Sequence, residues 1–182
     1  MNAVQSYSRI FSSNLTQIVM GTLLIFLCSQ ITIPLEPVPI TLQSVSIMFI
    51  GLTYSRKNAI QSVLSYLILG ALGLPVFANY SGGFHSLIGP TGGYLFGFLA
   101  AAYLMATIRE KINLNNLGFM IANSLIGTVI LFIFGVSWLS FFIGIEKGIT
   151  LGLVPFIIPG IIKAVILALG IRYLKPNSFF KK

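Results

Sequence analysis

Few side chains in this sequence could do chemistry. Eleven Lys and Arg stand against three glutamates, one His and one Cys, with no Asp, in 182 residues. The acids, Glu36, Glu110 and Glu146, are scattered, and no Cys, His or acid pair has ligand spacing such as C-x-x-C or H-E-x-x-H, so no metal site is expected. A Ser-His-Asp triad lacks its acid. No G-x-x-x-x-G-K-[ST] phosphate loop is present, so this chain is not expected to hydrolyse ATP. Cys28 lies inside an apolar run and reads as a small core residue. What remains is Lys163, deep in the last apolar run. With it stand the glycine-rich segment Gly89-Pro-Thr-Gly-Gly-Tyr-Leu-Phe-Gly97 and a few neutral polar residues, among them Thr41, Gln43, Asn123 and Ser124.

The elements that hold these residues follow from composition. The chain is 56% hydrophobic and 8% charged, and its mean hydropathy is +0.96. Soluble domains carry about 25% charged residues, so a water-facing surface cannot be built, and an all-α integral membrane protein is expected. Six transmembrane helices in one domain, residues 1–182, are read at about 15–33, 40–54, 59–74, 90–108, 117–136 and 153–174. The second, fifteen residues long, rises only about 22 Å against a core of about 30 Å. It is expected to stand upright or to have its loop dip into the bilayer.

Cations set the orientation. Arg9, Arg56, Lys57, Arg109, Lys111, Arg172, Lys175, Lys181 and Lys182, nine of the eleven, fall on the side that holds both termini. The opposite side holds only Lys147. Both termini are therefore expected in the cytoplasm. Nucleic acid is not an expected partner, because the cations sit at helix ends rather than on one patch; the lipid bilayer is. Two outward segments, 73–89 and 137–152, are read as long loops. The second is apolar enough to lie at the interface as an amphipathic or re-entrant piece, with Trp138 as an interfacial anchor. His85 reads as a loop polar residue, and no internal repeat is visible.

Lys163 stands about ten residues into the last span. A lysine there costs about 2.5–3.5 kcal/mol on insertion scales unless it faces a polar cavity or a partner. The acids lie elsewhere, so a ligand's own anion is the expected partner. The alternative is a structural lysine that reaches outward or bonds backbone carbonyls. Pro159 removes a donor and frees the carbonyl four residues back, which suits a cavity wall or a packing kink. Pro90 is expected in the first turn of the fourth helix, whose positive N-terminal end faces outward. Gly93 and Gly97 make a G-x-x-x-G packing motif, and Tyr94 offers a ring and a hydroxyl. Gln43 and Thr41 could hydrogen-bond a polar head group. Asn123 and Ser124 could do so too, or join helices. No enzyme is expected, since Lys163 is the one candidate general base at membrane depth.

Val38-Pro-Ile-Thr-Leu-Gln43, Gly70-Ala-Leu-Gly-Leu-Pro-Val-Phe-Ala78 and Gly89-Pro-Thr-Gly-Gly-Tyr-Leu-Phe-Gly-Phe98 resemble the BioY family, the biotin-specific substrate-binding subunits of energy-coupling-factor (ECF) transporters. The resemblance runs from about residue 30 to 170. It implies six helices, biotin captured from outside beneath external loops, no cofactor, and partners in a transmembrane coupling protein and two ATPase subunits. It implies the family lysine's ligand contact for Lys163 and a polar ligand contact for Asn79, while the family's Asp and Arg roles do not carry over; with Tyr94, Thr91, Gly160 and Gln43 these make the expected substrate-binding set. Three residues before the lysine the family carries Asp, where this chain has Gly160. Leu95 stands where some members carry Arg. The family docks its coupling module through small residues on the first helix, often A-x-x-x-A; the first helix here lacks that motif, Gly21 alone is a weak substitute, and dependence on the ATPase module is left open. A subunit for another small anionic vitamin, or a structural membrane subunit that transports nothing, are the alternative readings. Nothing in the sequence sets an oligomeric state.

Overall fold

The computed structural model describes residues 13–112 and 116–174. Helix α1 (Asn14–Gln30) starts at Ser13, whose hydroxyl accepts from the Thr16 amide at 3.2 Å. After it the chain extends, and Thr32–Ile33 (β1) pairs antiparallel with Ile40–Thr41 (β2), Thr32 opposite Thr41. The prolines at 34, 37 and 39 lie in the turn between them, where no ladder donor is needed. Helix α2 (Gln43–Thr53) and helix α3 (Arg56–Ala71) follow. A segment with a 3₁₀ turn (Ala78–Tyr80) and the short α4 (Phe84–Ile88) leads to α5 (Gly92–Lys111). Helix α6 (Leu117–Ile143), α7 (Ile145–Gly152) and α8 (Val154–Leu174) complete the described chain.

Helices α1, α3, α5 and α8 begin and end within three residues of their apolar runs. Two expectations change. The run 40–54 divides: Ile40 and Thr41 are strand, and α2 has only 11 residues. The expected outward loop 137–152 is helical. Nothing between Ser137 and Ile143 breaks a helix, so α6 continues until Gly144 at φ +83°. Gly21 is buried, and a Cβ there would lie 2.9 Å from Ser62 Cβ, so it serves the close α1–α3 contact.

Helix α5 is the centre. Ten of its residues are buried, from Gly92 to Ala106, and it packs on α2, α3 and α6. Each helix of the α5–α6 pair offers glycine to the other's large side chain. Gly93 receives Trp138 and the Phe134 carbonyl, and Gly135 receives the Tyr94 ring. Small residues let backbones approach closely where helices cannot rely on water to drive them together. A second cluster joins Met48 and Leu52 of α2, Met105 of α5 and Met120 of α6 to Ala164, Ala168 and Ile171 of α8.

Apolar side chains also point away from the bundle: Leu27 is 61% exposed, Ile158 69% and Ile166 63%. Among the described residues, three helical stretches are long and apolar enough to cross a membrane: Gly92–Lys111, Leu117–Ile143 and Ile145–Tyr173. At the opposite end of the bundle from the strands, the Arg56 amide donates to Glu110 at 2.8 Å and Arg109 donates to the Tyr54 carbonyl at 3.1 Å, fastening the α2–α3 turn to α5.

Gly93→Val puts methyl groups against Trp138 and the Phe134 carbonyl, so it should destabilise by about 1–3 kcal/mol and lower the melting temperature in detergent. Gly170→Ala, where a Cβ meets nothing within 4 Å, should be neutral or stabilising. Equal melting temperatures for the two variants would contradict the close α5–α6 approach.

Candidate functional site

A cavity of about 380 Å³ lies where β2, the N-terminal halves of α2, α5 and α8, and the middle of α6 meet the segment 77–91. All six residues singled out in the sequence line it: Gln43, Asn79, Thr91, Tyr94, Gly160 and Lys163. Their roles differ.

Lys163 lies on α8 just after Pro159 and is partly buried. Its ammonium donates to the Thr41 carbonyl at 2.6 Å and to Ser44 Oγ at 3.3 Å. Thr41 can accept because it is strand, one residue outside the helix: Leu42 caps α2, and the Leu42 carbonyl takes the Val45 and Ser46 amides. An ammonium has three donors, so this arrangement leaves one for the cavity. The lysine thus bonds a backbone carbonyl and lines the cavity together, joining two readings that the sequence leaves as alternatives.

Gln43 opens α2 and is buried. Its side-chain carbonyl accepts from Thr41 Oγ1 at 3.1 Å, and its amide donates to the Tyr66 hydroxyl at 2.5 Å. Tyr94 differs from expectation. Its hydroxyl donates to the Gly152 carbonyl at 2.7 Å, tying α5 to the α7–α8 junction, so its ring is what faces the cavity. Thr91 caps α5 without a side-chain cap bond. Pro90 therefore precedes the helix instead of opening it. The Gly92 amide donates back to the Gly89 carbonyl at 2.9 Å, closing a turn that the sequence reads as the helix's first.

Asn79 is exposed at the mouth in a left-handed conformation, φ 57° and ψ 37°, which Asn tolerates better than most residues. Its side-chain oxygen accepts from Thr32 Oγ1 at 2.9 Å. Gly160 is buried, and a Cβ there would sit 3.2 Å from Thr128 Cγ2, so α8 rests closely on α6 at this point. His85, read as a loop residue, lies in α4 and lines the mouth.

Two other expectations resolve into packing. Trp138 donates from its indole to the Gly89 carbonyl at 2.9 Å and stacks near Phe96 and Phe142. It pins the entry to α5 rather than serving only as an interfacial anchor. Asn123 donates to the Met105 carbonyl at 3.0 Å and joins α6 to α5, away from the cavity lining.

Sequence reasoning missed Ser44, Thr128, Phe132 and Phe156, which also line the cavity. Ser44 and Thr128 carried a signal, as polar residues in apolar helices. The phenylalanines carried none, since Phe is common throughout this chain. Lys163 and His85 are the ionisable lysine and histidine of the lining, and no carboxylate is among the lining residues. The wall is therefore cationic, with apolar sides and a few neutral hydrogen-bonding groups. Such a pocket suits a small, largely apolar anion.

Comparison with known proteins gives a consistent set of relatives. A family model described as the BioY family matches residues 2–178. The "Biotin transporter BioY" of Thermotoga maritima is 41% identical over 155 residues, covering 85% of this chain and 90% of that protein. The "Probable biotin transporter BioY" of Rickettsia prowazekii is 37% identical over 162 residues, covering 89% and 83%. The crystal structure at 2.1 Å of the S-component for biotin from an ECF-type ABC transporter superposes with a TM-score of 0.81 and 31% identity, covering 96% of this chain and 94% of that one.

If Lys163 belongs to the site rather than to the scaffold, Lys163→Met should leave the ligand-free melting temperature unchanged or raised. The variant removes a costly charge from an apolar bundle, and its volume is similar. A fall of several degrees would return Lys163 to a purely structural role.

Proposed function

The chain belongs to the BioY family, and on that premise we propose that it captures biotin from outside the cell for uptake across the cytoplasmic membrane. The observation that carries this reading is the cavity wall: one lysine, partly satisfied by neutral groups, with no carboxylate among the lining residues. Biotin is a small acid with a compact bicyclic head. Its carboxylate takes the remaining Lys163 donor as a charge-assisted hydrogen bond. The head lies among Tyr94, Phe98, Phe132 and Phe156, with Gln43, Thr91 and Asn79 as neutral partners for its ring N–H and C=O groups. Gly160 lets α8 rest closely on α6 beside the head.

The membrane arrangement belongs to the same reading. One integral domain crosses the bilayer six times, through α1, α2, α3, α5, α6 and α8, with both termini cytoplasmic. The nine-to-one division of cations supports it. So does the grouping of the cavity at one end of these helices, away from Arg56 and Arg109. The short α2 fits because the paired strands β1 and β2 continue its path. The protein performs no ATP chemistry itself. Its partners are a transmembrane coupling protein and two ATPase subunits, which energise release. A subunit for a different anionic vitamin is the second reading, favoured by Gly160 in the place of the expected Asp.

Purified protein should bind labelled biotin saturably, and unlabelled biotin should compete better than other carboxylate vitamins. Absence of saturable binding at micromolar ligand would sink the proposal, and stronger competition by another vitamin would move it to the second reading. A biotin amide, with its carboxylate neutralised, should bind about 10–100-fold more weakly, the equivalent of a charged hydrogen bond of about 1.5–3 kcal/mol. Lys163→Glu should abolish uptake while membrane insertion, followed by fractionation, is kept. Retained uptake would remove Lys163 from the site.

A further inference from the structure

The mouth of the cavity is shaped by two residues that do not line it. Ser29 and Gln30 end α1, and neither is among the lining residues. The Gln30 carboxamide brackets the segment that carries Asn79. Its Nε2 donates to the Phe77 carbonyl at 3.1 Å and to Ser29 Oγ at 2.6 Å, and its Oε1 accepts from the Tyr80 amide at 3.1 Å. Ser29 Oγ is in turn 2.7 Å from the Val76 carbonyl. One side chain therefore grips the backbone on both sides of Asn79.

The grip has work to do. Asn79 and Tyr80 are consecutive non-glycine residues in the left-handed region, φ 57° and 54°. Such a conformation persists when its surroundings over-determine it, and for a bulky residue it is an outlier. Tyr80 is 68% exposed, so its side chain contributes little packing to hold the turn. The turn's own bonds, Phe77 N to the Ser81 carbonyl at 2.9 Å and Ser81 N to the Ala78 carbonyl at 3.2 Å, close it but do not anchor it to a helix. Gln30 and Ser29 supply that anchor. Beneath them, the buried Tyr66 hydroxyl accepts from the Gln43 side-chain amide.

We propose that Gln30, supported by Ser29, is a positioning residue for the ligand site, holding residues 76–80 in the left-handed turn that presents Asn79 to the cavity. Gln is suited to this position because one flat group carries a donor for Phe77 and an acceptor for Tyr80. Glu would keep the acceptor and set a carboxylate against the Phe77 carbonyl. Asn would be one methylene short. The inference rests on the reading of the cavity as the biotin site.

The test has two arms on the purified full chain. The first is amide hydrogen exchange over residues 76–81 without ligand, in wild type and Gln30→Ala. Exchange there should rise at least tenfold in the variant, with α5 unchanged. The second is equilibrium binding of labelled biotin to wild type, Gln30→Ala, Asn79→Ala and the double variant. Gln30→Ala should weaken binding at least fivefold, and the double variant should bind no more than twofold more weakly than Asn79→Ala. Unchanged exchange overturns the proposal. So does an effect of Gln30→Ala that persists in full on the Asn79→Ala background, or Asn79→Ala binding as wild type does. If wild type itself binds no biotin, the biotin reading fails while the exchange arm still decides the anchor. Should Gln30→Ala fail to fold, Gln30→Met, of similar size and without the polar groups, takes its place in both arms.

Discussion

Everything at the centre of this molecule depends on where one ammonium group finds its hydrogen bonds. Lys163 sits in an apolar bundle, where a bare charge is costly. Its bond to the Thr41 carbonyl requires that carbonyl to be free of any helix. The chain meets this requirement by starting the helix late. Residues 40–41 pair with residues 32–33 as strand, Leu42 caps α2, and the Thr41 carbonyl is left facing α8. The short second helix and the small hairpin before it follow from the same need. A continuous helix from residue 40 would spend the Thr41 carbonyl on the amide of Val45.

The same economy of polar groups governs the rest of the bundle. Hydroxyls, an amide and an indole within it donate to backbone carbonyls of other elements: Thr22 to Ser62, Asn123 to Met105, Tyr94 to Gly152, Trp138 to Gly89. In an apolar medium no water is at hand to satisfy these groups, so each must find protein. Each such bond joins elements distant in sequence. They therefore fix α5, α6 and the segments at their ends in one arrangement, while glycines at 93 and 135 bring α5 and α6 close. The cavity is what remains between helices held this way.

Much of this was legible in residues whose cost is obvious. A lysine in an apolar run, a proline four residues before it and a glycine-rich helix start all pointed to the region where the cavity lies. Lys163, Tyr94, Thr91, Gly160 and Gln43 line it, and so does Asn79, which only the family resemblance suggests. What sequence could not show was direction. Tyr94 offers a ring and a hydroxyl; the ring lines the cavity, but the hydroxyl bonds the Gly152 carbonyl, 58 residues on, a partner no local spacing reveals. Trp138 looked like an interfacial anchor because aromatic residues favour interfaces, yet its indole is set by the Gly89 carbonyl. At residues 137–152 the apolar, aromatic stretch reads as an interfacial loop with an amphipathic or re-entrant piece, whereas it is helix on both sides of Gly144. A helix ends where the backbone is broken, and the first break is Gly144. Phe132 and Phe156 were hidden by abundance, since their membership in the cavity wall depends on packing alone.

The substitution of Gly160 for an acidic residue changes the electrostatic argument more than it changes the space. With a carboxylate three residues before Lys163, one turn away on the same helix, the ammonium would hold an internal counter-ion. An arriving anion would then compete with that pair and meet repulsion from it. With Gly160, the ammonium holds only a carbonyl and a hydroxyl, both neutral. A ligand carboxylate displaces no ion pair. It completes the coordination of a cation whose burial is otherwise only partly compensated. On the proposed reading, the free energy withheld from the empty protein by leaving Lys163 under-satisfied is returned when an anion binds, which makes the ligand's charge the main determinant of capture and leaves the neutral groups around its rings to decide which anion fits.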